Sequence, residues 1–435
     1  MPSRRPPARP GRTDTRSTPV AEREAPAGRS RPVGTTPGPA PEWGVARFVV
    51  ACTPLHGHVT PLLAIMAELT RRGHEVIGCT GRRFANEVTG VGARFVPLPA
   101  EADYDDRRVE AVFGGSRPDG RLRRINADIS RLLADPLPSQ HRLLGRLVAE
   151  WAPAAVLVDT TFLGAFTWRS VQTTPHPPLA VANITFLALR GRGVPPPGPG
   201  LRPAPGLGGG TRDVLVRTVT DRLLVRRGLL RLDRAAREAT GRAIPGLLFD
   251  GPRLADLVLV LTVPSFEYPR SDLPSSVRFV GPVQPPARAA RTPPWWSDLD
   301  GSRRVVHVTQ GTMDTSDLGA LVAPTLRALA DQDLLVVATT GGRPPEAVPG
   351  PVPSNARIAR YLPYVSLLPR VDVMVTNGGY GGVQQALAAG VPLVVAGSGE
   401  DKPEVAARVA HSGAGIDLRT GHPRPAALRA AVARV

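Results

Sequence analysis

ARFVVACTPLHGHVTPLLAIMAELTRRGHEVIGCTG, residues 46–81, decides the fold. Its run 47–52 is apolar after the first residue and does not alternate, the pattern of a strand buried on both faces of a parallel sheet. After a loop, Leu62, Leu63, Ile65, Met66 and Leu69 recur at helical spacing. Gly73 ends that helix, and EVIGC begins the next strand. A strand, a helix and a strand in this order form a βαβ unit. The pattern recurs in ARFVPL from 93, AAVLVD at 154–159, PLAVAN at 178–183 and ADLVLVLT at 255–262. Strands alternating with helices predict an open parallel α/β sheet.

A second alternation begins near residue 301: RRVVHVTQGT, a helix from about 316, DLLVVATTGG, ARIARYLP, VDVMVTNGG, a glycine-opened helix and GVPLVVAG. The predicted organisation has four parts. Residues 1–43, rich in Pro, Arg, Gly, Ser and Thr with almost no large apolar residue, cannot offset their ordering entropy and are expected to be disordered. An N-terminal Rossmann-like domain spans 44–283, a linker 284–300, and a second Rossmann-like domain 301–435. The chain stops at RPAALRAAVARV inside a helical pattern, so the second domain is expected to be truncated. The segment 191–210, GRGVPPPGPGLRPAPGLGGG, is too rich in Pro and Gly for regular structure and is expected to shape a pocket at the carboxyl ends of the strands.

The formal net charge is +17, yet arginines are scattered along the whole chain and no nucleic-acid-binding motif accompanies them. No nucleic-acid partner is therefore expected. Lys402 is the single lysine among 54 basic residues. The two cysteines, Cys52 and Cys79, sit at strand ends without metal-ligand spacing and read as buried thiols of a reducing compartment. No run is long and apolar enough for a membrane span and no secretory h-region opens the chain, so a cytoplasmic protein without stable membrane insertion is expected.

Three strand-to-helix junctions of the second domain carry small polar residues and glycine: Thr309, Gly311 and Thr312; Thr339 to Gly342; and Thr376 to Gly382. In a parallel sheet these junctions share one edge, where amides and hydroxyls converge on an anion such as a nucleotide or sugar nucleotide. None matches a P-loop or the dinucleotide fingerprint.

VTNGGYGGVQQALAAGVPLVVAGSGEDKPEVAARVAHSGAGIDL (375–418) resembles the donor-binding signature of the family-one GT-B glycosyltransferases, in the bacterial natural-product and macrolide branch. TPLHGHVTPLLAIMAELTRRGHEV (53–76) resembles the start of the same enzymes, and WWSDLDGSRRVVHVTQGT (295–312) the entry to their donor domain. The resemblance implies GT-B architecture, with two facing Rossmann-like domains. An acceptor lies in the first, a nucleoside-diphosphate sugar in the second, and a hexose passes with inversion, without metal or cofactor. His58, of the Gly-His-x-x-Pro pattern with Pro61, is implied as the base and Asp159 as its carboxylate partner, whereas His56 lies outside the pattern. Donor contacts are implied at Thr309, Gly311, Thr312, Tyr361, Leu362, Asn377, Gly378, Gly379, Gly381, Gly382, Asp401 and Lys402.

The chain departs from the family at several of these positions. Asn377 replaces a histidine and Lys402 a glutamine; Tyr361 and Tyr364 replace the Trp and Gln of a Trp-x-Pro-Gln segment, leaving the base that is read open. Lys402 is expected to touch a sugar hydroxyl or phosphate oxygen; the other reading is an exposed salt bridge with Glu400 or Glu404. In the family a final helix crosses back and clamps the two domains; without it, weaker closure is expected. The rival readings are a sugar-nucleotide-modifying, epimerase-like enzyme and a non-catalytic sugar-nucleotide-binding protein. The apolar, Pro-rich surroundings favour a small apolar acceptor, whether natural product, lipid or xenobiotic.

Overall fold

The computed structural model describes residues 44–435 apart from 116–117, 119, 174, 205, 285–291 and 313. The disorder expected of 1–43, and the part 285–291 of the linker expected at 284–300, lie outside the described residues. Residues Val45–Val435 form one compact unit.

The first sheet has seven parallel strands: β1 (Arg47–Ala51), β2 (Glu75–Thr80), β3 (Arg94–Pro97), β4 (Ala155–Asp159), β5 (Leu179–Asn183), β6 (Leu257–Val260) and β7 (Val277–Phe279), in the order β3-β2-β1-β4-β5-β6-β7. β1 is central, pairing Val49 with Ile77 on one side and with Val156 on the other. Val49, Val50, Val156 and Val158 are buried, as a strand covered on both faces requires. Helix α1 (His56–Arg71) covers one face with Val59, Leu62, Leu63 and Met66. Both cysteines are buried and free, and burial pushes the Cys79 thiol up to about 12.

The second sheet has six parallel strands: β8 (Arg304–Thr309), β9 (Leu334–Thr339), β10 (Ala356–Ala359), β11 (Val373–Thr376), β12 (Leu393–Val395) and β13 (Gly415–Asp417), in the order β10-β9-β8-β11-β12-β13. In both sheets the strand order reverses beside the first strand, between β1 and β4 and between β8 and β11. Crossovers leave such a point in opposite directions and open a crevice there, so it is where an α/β sheet receives ligands.

Two expectations are corrected. The stretch 191–210 is not irregular to its end, because helix α2 (Gly206–Val219) begins inside it. The helix expected from about 316 starts later, as α3 (Val322–Leu329). The cause is Gln310: its side-chain amide donates to the Asp314 and Asp317 carbonyls, and its Oε1 accepts from the Leu321 and Val322 amides. One side chain thus holds the loop folded and satisfies the first amides of the helix, which delays its start.

Helices α4 (Tyr380–Ala388) and α5 (Lys402–His411) carry the contacts to the first sheet's half. Thr262 Oγ1 donates to Gln384 Oε1 at 2.7 Å, and Phe266 meets Tyr380 edge-on. Arg408 bonds Glu267 at 2.6 Å and Glu404 at 2.9 Å, with all three side chains buried. Its guanidinium lies 4.6 Å from the Phe186 ring centroid and 4.3 Å from that of Tyr268. Glu404 also accepts the Gly198 and Gly200 amides at 2.8 Å, so the Pro/Gly-rich segment is fastened across to α5.

Candidate active site

Asp159 ends β4 and is completely buried. Its Oδ2 accepts the Thr53 amide at 2.6 Å, from the turn after β1. Its Oδ1 accepts both the amide and the hydroxyl of Thr161 at 2.6 Å. Burial works against the charged form, but the His58 charge and hydrogen bond, with those from Thr161 and Thr53, outweigh it and hold the carboxyl below its usual range.

His58 lies in the first turn of α1, with Nδ1 3.4 Å from Asp159 Oδ1 and 3.0 Å from Thr161 Oγ1. The two side chains expected to form a dyad therefore lie side by side, with the Thr161 hydroxyl against both. A carboxylate only accepts, so the Thr161 proton goes to Asp159; Thr161 Oγ1 then accepts the His58 Nδ1–H. Thr53 Oγ1, 2.9 Å from Thr161 Oγ1, completes the turn. With Nδ1 engaged on this side, Nε2 is the nitrogen left to take a proton. His56 is exposed and its backbone amide donates to Asp106 Oδ2 at 2.7 Å.

Thr161 was not singled out by its sequence context, because its role depends on β1 and β4 being neighbours. Thr161→Val is expected to lower kcat by about 10-fold to 100-fold, the value of a hydrogen bond to a charged group, with Thr161→Ser near wild type. Steady-state rates of the two variants check this.

In the second sheet the loops after β8, β9 and β11 touch one another. Thr339 Oγ1 donates to Thr309 Oγ1 at 2.9 Å, and Asn377 Nδ2 donates to the Gln310 carbonyl at 2.5 Å. Gly311, at φ +71°, and Gly378, at φ +90°, hold conformations that side chains rarely adopt; a Cβ on Gly378 would sit 2.8 Å from Val395. Thr312 is exposed at the rim of the same junction. Helix α4 opens after Gly379 with no side-chain cap, so the amides of Tyr380, Gly381 and Gly382 are its unbonded donors. A Cβ on Gly381 would meet no atom, which leaves that approach open. Such a helix start suits an anionic diphosphate.

The structure corrects the expected role of three residues here. The Gly378 amide is taken by Thr376 Oγ1 at 3.2 Å, so it is not among the open donors of this junction. Asn377 spends its donor on Gln310, and its buried Oδ1 has no partner among the described residues. That oxygen lies near Gly311 and Gly379 and suits a ligand O–H or N–H, not a bare phosphate oxygen. Lys402 is not an exposed residue: it is 5% exposed, its Nζ 3.1 Å from Glu400 and 3.3 Å from Asp314, and Glu404 is not its partner. Burial opposes its charge, but Glu400 and Asp314 more than compensate and raise its pKa. Lys402 thereby joins the loop after β8 to the start of α5, the two walls beside Gly378 and Gly397.

Tyr361 is 63% exposed and anchored by its hydroxyl to the Gly341 carbonyl at 3.0 Å, so its ring is free to stack. Leu362 packs partly into the core. Tyr364 turns inward: its hydroxyl meets Nε2 of buried His307 at 3.0 Å, and burial raises it to about 12. His307, whose Nδ1 donates to the Val337 carbonyl, is lowered to about 4 by burial and is neutral. Tyr364 thus supports the sheet and does not read a base. Asp401 lies at the start of α5, its Oδ2 accepting the Thr185 hydroxyl at 2.9 Å from across the interface. Among the described residues, no group of three or more His, Cys, Asp or Glu could hold a metal ion, and no helix is long and apolar enough to cross a membrane.

Residues 323–435 match the family model for the erythromycin biosynthesis protein CIII-like C-terminal domain. The chain is 42% identical over 377 residues to 4'-demethylrebeccamycin synthase of Lentzea aerocolonigenes, covering 86% of this chain and 88% of that protein. It is 34% identical to UDP-glucosyltransferase A1 of Starmerella bombicola, covering 88% and 84%. A crystal structure of the glycotransferase of kitacinnamycin superposes with a TM-score of 0.65 at 22% identity over 90% of each chain, a likeness of fold.

Proposed function

Because the chain belongs to the family-one GT-B glycosyltransferases of natural-product type, we propose that it is an inverting hexosyltransferase with His58 as its base. The donor is a nucleoside-diphosphate sugar and the acceptor a hydroxyl of a small, largely apolar molecule. Supporting this reading above all is the His58–Thr161–Asp159 relay at the switch point of the first sheet.

The acceptor O–H gives its proton to His58 Nε2, and the acceptor oxygen attacks the anomeric carbon from the face opposite the diphosphate. The bond from that carbon to the phosphate oxygen breaks, and the diphosphate leaves with the electron pair. The imidazolium formed at His58 is stabilised through Thr161 by Asp159, which stays ionised. The amides of Tyr380, Gly381 and Gly382 face the charge that develops on the leaving oxygen. Tyr361 stacks on the base, and Asp401 accepts from a sugar hydroxyl.

A thermal-shift series with nucleoside diphosphates and their hexoses tests the donor, since a ligand at 100 times its Kd stabilises by about 2.7 kcal/mol. The expected result is a larger shift with one diphosphate-hexose than with monophosphates or free hexoses. No shift with any diphosphate would overturn the reading. Inversion is checked by the anomeric configuration of the product against that of the donor.

A further inference from the structure

We propose that Thr185, a residue of the acceptor-side half, is a positioning residue for the donor sugar: its hydroxyl holds the Asp401 carboxylate aimed at the sugar. The inference rests on the reading of Asp401 as a sugar contact and adds the group that acts through it.

The bond is short and spans the molecule. Thr185 Oγ1 donates to Asp401 Oδ2 at 2.9 Å between residues 216 apart in sequence. Thr185 is itself held. Asn183, the last residue of β5, donates from Nδ2 to the Thr185 carbonyl at 2.5 Å, and the Thr160 hydroxyl sits 3.2 Å from the Ala182 carbonyl and 3.4 Å from Asn183 Oδ1. Thr160 stands between Asp159 and Thr161, the two partners of His58. Thr185 is therefore braced by the neighbouring ends of β4 and β5. On the far side of Thr185, Phe186 is buried beneath the Arg408 guanidinium. The residue has little room to turn away.

Asp401 needs that support. Burial and the charge of Glu400 push its carboxyl above the usual range, while the Thr185 hydrogen bond and Lys402 pull it back. The charged groups around it are Glu400 and Lys402 on its own segment, Asp314 beyond Lys402, and, from α4 and across the interface, the Tyr380 phenol and the Glu267–Arg408 pair. An ionised carboxylate accepts from Thr185 on one oxygen and from a sugar hydroxyl on the other, whereas the acid form turns one of those oxygens into a donor and weakens it as an acceptor. Without the threonine hydroxyl, the carboxyl pKa moves further up and the carboxylate loses its fixed direction.

The test compares binding of UDP-glucose and TDP-glucose with binding of UDP and TDP to the full chain, by titration calorimetry across the acid range. The ratio of the two dissociation constants for one nucleotide isolates what the sugar adds. In wild type the sugar tightens binding. In Thr185→Val that increment is expected to shrink about 10-fold, the effect of a hydrogen bond to a charged group. The pH below which the increment disappears moves upward, because the lost hydrogen bond lowered the Asp401 pKa. Thr185→Ser restores both, and UDP and TDP bind all three proteins alike. An unchanged increment and acid limb in Thr185→Val, with wild type still favouring the nucleotide sugar, overturns the role of Thr185 and leaves the donor site standing. A serine variant as impaired as valine, or a valine variant that also loses UDP and TDP, marks a packing role and overturns the proposal. Wild type binding neither nucleotide nor nucleotide sugar overturns the donor site and this inference together.

Discussion

His58→Ala is expected to lower kcat by about 10³-fold while leaving nucleotide-sugar affinity unchanged, the middle of the range for general base catalysis. The geometry sets both halves of that expectation. Nδ1 is committed to Thr161 and Asp159, so the only proton the ring can accept is one arriving at Nε2. The donor cradle belongs to the other sheet, and none of its hydrogen bonds passes through His58. Asp159→Asn should share the phenotype at smaller amplitude, since the amide accepts on one atom only and cannot balance an imidazolium. Asp159 has a depressed pKa in the fold, so its contribution to stability is present above the ordinary carboxylate pKa and is lost as pH falls through the lower, folded value. The asparagine variant should lack that part of the acid denaturation. Initial rates at saturating donor, paired with donor titrations, separate the two effects. If His56→Ala caused the large loss and His58→Ala fell by less than about 10-fold, the base would be misassigned.

Both sheets are legible in the sequence from strands that are mostly apolar runs, such as β1, β4 and β6, and from helices with a regular apolar stripe, such as α1, whereas the short edge strands β7 (VRF) and β13 (GID) carry no such run. What is not legible depends on pairs far apart in the chain. Gln310 reads as one more polar loop residue, yet its amide reaches four backbone groups and moves the start of α3. The motif around His58 points to the proposed base and the end of AAVLVD to its proposed carboxylate partner, but neither points to Thr161, whose hydroxyl matters only once β1 and β4 are paired. Lys402 stands out by rarity, and its partners do not: Asp314 is 88 residues away. The two tyrosines of RYLPY look equivalent as aromatic replacements. Tyr361 is exposed and Tyr364 is bonded to His307, because the helix that begins at Tyr364 turns its side chain under the sheet. The weaker closure expected of this chain gave no hint of the buried contacts that join its halves.

Those contacts carry the second large effect. Arg408→Met is expected to destabilise the fold by about 3–5 kcal/mol, read as a lower urea midpoint, because removing one member of a buried ionic cluster strands the others. Methionine preserves the length and apolar contact of the side chain against Phe186 and Tyr268, so packing loss is a small part of the change. Among the described residues, Glu267 then retains the Leu187 amide, at 2.7 Å on Oε1, and Glu404 the Gly198 and Gly200 amides. Two carboxylates would then share a dry interface without a cation. Adding Glu267→Gln to Arg408→Met should recover part of the loss, since the amide removes one stranded charge and still accepts from Leu187. The same substitution alone should be destabilising, and the difference between the two backgrounds measures the coupling of the pair. Glu267 lies between β6 and β7 and Arg408 on α5, so the coupling energy is also a measure of how firmly the acceptor-side half is held on the helix that begins beside Asp401. A midpoint unchanged by Arg408→Met would mean that water enters the interface and screens the carboxylates, and that the two halves are joined by apolar contacts alone.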